Sequence, residues 1–118
     1  MNIIEGKIRS QQLLQIKRIV EQDNNGDKFI ILRRDKNLKF MREYSLKDDD
    51  VKNIIKNLVV EDCYAGPEKD YDSNYDGWVF KFNPMFDDIR LYIKIRVENR
   101  EKSVCISVHE FGKYDEVS

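Results

Sequence analysis

Near the end of the chain, "IRLYIKIRV" (residues 89–97) and "SVCISVH" (residues 103–109) alternate apolar and polar side chains, and the short polar run "ENREKS" joins them. Two such runs joined this way predict an antiparallel hairpin with one face in a core. Parity then restricts the register. A slip of one residue turns a whole apolar set to solvent, so Ile89, Leu91, Ile93, Ile95 and Val97 must share a face with Val104, Ile106 and Val108. With Ser103 opposite Glu98, Tyr92 lies opposite His109 and Lys94 opposite Ser107; a register shifted by two puts Lys94 opposite His109 instead. Either way Tyr92, Lys94 and His109, the single histidine, meet on the polar face, where facing Cβ atoms lie about 4.5–5.5 Å apart. Arg90 and Arg96 flank them, and Cys105 and Ser107 belong to the same solvated side.

The rest of the chain supplies partners for this hairpin. "WVFKF" (78–82) reads as a third strand with Trp78, Phe80 and Phe82 on one side, which brings Lys81 to the polar face. Residues 10–22 place Leu13, Leu14, Ile16, Ile19 and Val20 at helical spacing behind Ser10 as N-cap, and Gly26 stops the helix. Residues 28–33 read as a short strand; "DKNLKFMREY" fits neither period. "SLKDDDVKNIIKNL" is a helix with Ser45 at the cap, Asp48, Asp49 and Asp50 in its first turn, and Val51, Ile54, Ile55 and Leu58 on one face. Residues 61–77 carry six acids against one lysine, with Gly66-Pro67, Asn74 and Gly77 as punctuation, and read as a solvated loop. Helices first and strands last predict a single α+β domain over 1–118, an antiparallel sheet of three or more strands packed on N-terminal helices.

Composition narrows the function classes. Basic and acidic residues number 21 and 22, which excludes a whole-protein basic field for nucleic acid but not a local basic face. Cys63 and Cys105 stand alone and, with one histidine, cannot make a four-ligand zinc site; we expect two plain thiols in a reducing cytoplasm. No signal-peptide pattern opens the sequence, and no apolar run nears the roughly 20 residues that span a bilayer, so no membrane association is expected. Asp70, Asp72 and Asn74 have the spacing of a calcium loop, but Tyr75 replaces the required glycine and Lys81 the closing glutamate. No metal and no cofactor is therefore expected.

The polar face has the parts for RNA cleavage by transesterification, which needs a base, an acid and a cation but no metal. Histidine, with an ordinary pKa near about 6.5, suits either proton role. Tyr92 and Lys94 can bind the phosphate, and Lys81, Arg96 and Arg90 can hold the strand. The bland reading is that these residues are only the wet side of a half-buried sheet. A second functional reading makes the acidic 61–76 segment the contact surface of a non-catalytic inhibitor of phage or immunity type.

The order "LVVEDCYAGPEKDYD", "WVFKF", "LYIKIRV", "SVCISVHEF", preceded by "RRDKNLKFMREYSLKDDDVKNII", resembles the MqsR family of toxins of bacterial toxin–antitoxin systems over roughly residues 28–111. The resemblance implies a RelE-like ribonuclease fold, metal-free and sequence-selective cleavage of messenger RNA, and neutralisation by a cognate antitoxin protein. By position it assigns Tyr92, Lys94 and His109 as site residues. Ala65 follows Tyr64 where some members have lysine, leaving Lys69 as the nearest, and Val79 stands where some have glutamine.

Overall fold

The structure is a computed structural model and describes residues 2–70 and 74–114. Its elements in chain order are α1 (Ile3–Gln22), β1 (Phe29–Ile31), α2 (Asp35–Glu43), α3 (Asp48–Lys56), a 3-10 turn (Val60–Asp62), β2 (Cys63–Lys69), β3 (Trp78–Phe82), β4 (Met85–Phe86), β5 (Ile89–Val97) and β6 (Ser103–Glu110). The fold is α+β. The sheet runs β1-β6-β5-β3-β2, with β4 on β5; β1 is parallel to β6 and the other pairs are antiparallel. Helices cover one face. Ile16 and Ile19 of α1, Phe40 of α2, and Val51 and Ile55 of α3 pack with Phe80, Phe82, Leu91, Ile93 and Ile95 of the sheet.

Local chemistry explains where the helices begin and end. α1 starts a full two turns before the expected Ser10, because the Asn2 side chain accepts the Glu5 N–H at 2.8 Å. Leu14 is exposed rather than core, since the buried stripe runs through Leu13, Ile16, Ile19 and Val20. At its C-terminal end the buried Asp23 carboxylate accepts N–H groups from Gly26, Lys28 and Phe29 and an ion pair from Lys52. Burial would raise its pKa, but these hydrogen bonds outweigh that and hold it well below the usual carboxylate range. The unassigned "DKNLKFMRE" is helical and buries Asn37, Phe40 and Met41. Ser45 is not an N-cap: it sits at φ 54 in the turn between α2 and α3, and the Asp50 carboxylate accepts the Lys47 N–H at 2.8 Å instead.

The acidic stretch is the larger correction. Residues 63–69 form β2, an edge strand with two irregularities in its pairing to β3. Gly66 does not end an element there. It has φ +115, and a Cβ at that position would lie 2.6 Å from the Val79 carbonyl, so glycine lets β2 pass close to β3. Arg9 of α1 covers the outer edge, donating to the carbonyls of Gly66 at 2.7 Å and Cys63 at 3.3 Å. Residues 71–73, which include the calcium-type position Asp72, lie outside the described residues.

The hairpin follows the first of the two expected registers over half its length. Tyr92 faces His109 and Lys94 faces Ser107, but then Ile95 faces Cys105 and Val97 faces Ser103. Ile106 is thus an extra residue, a β-bulge that reverses which face the following positions take. Cys105 lies in the main core beside Ile95. Val104 and Ile106, expected there, instead join Val79, Ile30 and Leu32 in a second apolar cluster on the opposite side. The Asn37 side chain secures the bulge: its amide donates to the carbonyls of Leu32 (2.9 Å) and Ile106 (3.0 Å), and its oxygen accepts the Val108 N–H (2.9 Å). Among the described residues, no helix is long and apolar enough to cross a membrane.

Candidate functional site

The face away from the helices carries Tyr92, Lys94 and Arg96 on β5, Ser107 and His109 on β6, and Lys81 on β3 opposite Lys94. The sequence predicts a solvated surface here; the structure shows a covered one. Tyr92 is fully buried, and His109 (2% exposed), Lys94 (5%) and Arg96 (5%) nearly so. Two segments account for this. At one end Tyr114 and Phe111 lie over the Tyr92–His109 pair, and at the other Asp70 and Tyr75 lie over Arg96.

His109 and Tyr92 form a stacked pair, with ring centroids 5.2 Å apart and planes tilted 30°, and the Tyr114 ring meets His109 edge-on at 4.9 Å. His109 Nδ1 lies 2.9 Å from the Glu110 carbonyl oxygen. A carbonyl only accepts, so a hydrogen bond here requires the hydrogen on Nδ1.

Lys94 stands apart from the other cations on this face. It is nine-tenths buried, yet among the described residues it makes no hydrogen bond or ion pair. Burial pushes its ammonium pKa down, Lys81 acts the same way, and Asp70 opposes them, ahead of smaller effects from Arg34 (down) and Glu68 (up). The ammonium lines a cleft of about 460 Å³, together with Arg34, Arg96, Ile30, Leu32 and Ile106.

The other expected substrate-binding residues divide. Lys81 is half-buried on the same face, with Nζ 3.6 Å from Glu68. Arg96 is on the face but is committed within the chain. It pairs with Asp70 at 2.7 Å and Glu98 at 2.9 Å and stacks on Tyr75 at 4.1 Å. Desolvation would lower its pKa, but those two carboxylates raise it on balance. Arg90 is exposed at the start of β5 and donates to the Asn83 carbonyl at 2.9 Å, holding the turn before β4. Lys69 is exposed at the end of β2, its ammonium 4.3 Å from the Trp78 ring centroid. The thiols are both buried: burial raises Cys63, and pushes Cys105 up to about 12, far from a reactive thiolate.

One site residue escaped sequence reasoning. Arg34, just before α2, reaches the face and donates through Nη1 to Ser107 Oγ at 3.1 Å and, more weakly, to the Ile106 carbonyl at 3.4 Å. Only the parallel pairing of β1 with β6 brings it there, and no local pattern announces such a contact. Among the described residues, no group of three His, Cys, Asp or Glu side chains is placed to hold a metal ion. Comparison with protein-family models and with curated proteins finds no match to this chain.

Proposed function

We propose that the chain is an endoribonuclease that cleaves single-stranded RNA through its 2′-hydroxyl without a metal, as the cytoplasmic toxin of an MqsR-like toxin–antitoxin pair. The observation that carries this reading is the Lys94 side chain, nearly buried with its unpaired ammonium opening on a cleft, two residues along β5 from Tyr92 of the Tyr92–His109 pair. A buried cation without a counter-ion is costly to the fold, and an anion entering the cleft offsets that cost.

In the reaction the 2′-oxygen attacks phosphorus, the bond to the 5′-oxygen breaks, and a 2′,3′-cyclic phosphate forms. One proton leaves the 2′-hydroxyl and one reaches the 5′-oxygen. His109 exchanges a proton, Tyr92 holds the imidazole by stacking, and Lys94 balances the charge that builds on the phosphate. Tyr114 must move off His109 before substrate reaches it. The acidic segment gives less support to the inhibitor reading, because Glu68 and Asp70 are turned onto the chain's own Lys81 and Arg96.

The test is purified protein on a panel of single-stranded RNAs with EDTA present. The wild type should release products with 2′,3′-cyclic phosphate ends, and His109→Ala and Lys94→Ala should each reduce the rate at least about 100-fold. No cleavage by wild type across the panel, or full activity in His109→Ala, sinks the proposal. In cells, expression should arrest growth, and co-expression of a cognate antitoxin should relieve it.

A further inference from the structure

We infer that the cleft beside the Tyr92–His109 pair is a nucleotide subsite, in which Arg34 and Lys94 hold a phosphate and the apolar cluster that the bulge turns to this face takes the adjoining base. This rests on the ribonuclease reading for the class of ligand.

The charges in the cleft are not balanced. Asp70 and Glu98 are both spent on Arg96, and Glu98 is also within 3.6 Å of Lys102. That leaves Arg34 and Lys94 as the cations of the cleft without an ion pair among the described residues, Lys94 feeling Asp70 and Glu68 only at a distance. Arg34 uses only Nη1 for its bonds to Ser107 and Ile106, so Nε and Nη2 make none among the described residues. A guanidinium anchored on one edge and open on the other is arranged for a phosphate oxygen pair, and the Lys94 ammonium adds the point charge. Nearly full burial of Lys94 makes this a built site rather than a surface lysine.

The floor is apolar for a structural reason. Without the extra residue at Ile106, strict alternation would bring polar side chains to this face; the bulge turns Val104 and Ile106 to it, beside Ile30 and Leu32 of the neighbouring chain segment. This second cluster lies outside the main core, at the bottom of the cleft. Tyr75, half-exposed and stacked by one ring face on Arg96, forms a side wall. Apolar floor, aromatic wall and paired cations are the parts a single-stranded nucleotide uses: stacking for the base and charge for the phosphate. Because floor and wall contact the base rather than the reacting phosphate, they set base preference, while Arg34 and Lys94 act on any sequence.

The experiment uses the full chain. Binding of a fluorescent single-stranded RNA hexamer is measured in the His109→Ala background, so that no cleavage intervenes, and cleavage-site preference is read in the otherwise wild-type protein. Arg34→Gln should weaken binding about 10-fold and reduce the salt slope by about 0.7, one single-strand phosphate contact, with Arg34→Lys restoring most of the slope. Tyr75→Leu, at an exposed position that should not disturb folding, should lower binding about 10-fold and change which base is preferred at the cut. If the wild type cleaves RNA but both variants bind and cut as it does, the subsite is overturned and the ribonuclease reading stands. If the wild type binds RNA through Arg34 and Tyr75 without cutting it, the subsite stands and the ribonuclease reading falls. If it neither binds nor cuts, both fall. A thermal melt matching wild type for Arg34→Lys and Tyr75→Leu keeps each result free of misfolding.

Discussion

At the scale of single residues, Lys94 separates a functional role from a structural one. Its folded-state pKa is lowered below the unfolded value, so near neutral pH its charge opposes folding. Stability from this group is lowest below the folded pKa and recovers as pH climbs toward the unfolded value near about 10.4, because there the unfolded chain binds more protons. Lys94→Met keeps the volume and removes the charge. It should stabilise the protein by about 1 kcal/mol at pH 7, with the gain over wild type shrinking as pH approaches 10, measured by urea titration across pH. The same variant should lose RNA cleavage. A less stable Lys94→Met would mean the ammonium has a compensating partner, and a gain equal at every pH would mean that it does not come from removing the charge. Parity in the sequence narrowed the residue facing His109 to Tyr92 or Lys94, because a two-residue period cannot tell registers two apart, and the structure has Tyr92 there. Arg34 was out of reach, because its partner Ser107 is 73 positions away and nothing in "RRDKN" encodes that contact.

At the scale of elements, two local rules gave way to tertiary contacts. Glycine followed by proline reads as a turn, yet here it lies within β2, because the close approach to Val79 and the Arg9 cover make an irregular edge strand satisfiable. The alternation of β6 reads as uniform, yet the bulge divides it, since Asn37 on α2 supplies the hydrogen bonds that a regular ladder would otherwise be needed for. What remained legible was what short-range periodicity controls: α3, the apolar stripe of α1, β3, and the outer half of the hairpin. Two substitutions probe the overridden places. Asn37→Leu strands the buried groups it serves and should cost about 2–4 kcal/mol in chemical denaturation, at about 1–3 kcal/mol for each unsatisfied group. Gly66→Ala should cost about 1–3 kcal/mol, from positive φ together with the 2.6 Å contact on Val79. A cost under about 0.5 kcal/mol at Asn37 would show that water replaces the side chain and that the bulge is held by the strands alone.

At the scale of the whole molecule, charge is arranged by cancellation. Basic and acidic residues nearly balance, and the basic face is further offset from within by Asp70, Glu98 and Glu68. In the proposed ribonuclease this arrangement gives weak attraction of RNA at a distance, leaving its hold on the strand to a few local contacts. Arg34, Lys94 and Lys81 are the cations on the face with capacity left for phosphate, Lys81 by releasing a half-exposed, 3.6 Å pair. Three contacts to a single strand predict a slope near about −2 for log affinity against log salt. Affinity should then fall about 20-fold between 50 and 200 mM salt. Anisotropy titrations of the His109→Ala protein with a short single-stranded RNA measure this directly. A slope near zero would leave no room for phosphate contacts at the cleft. A slope steeper than about −4 would require cations beyond these three, and the next to be tried is Arg90, which shares the parity of Tyr92 and Lys94 on β5, since Lys69 pairs with Trp78 on the opposite side of the sheet.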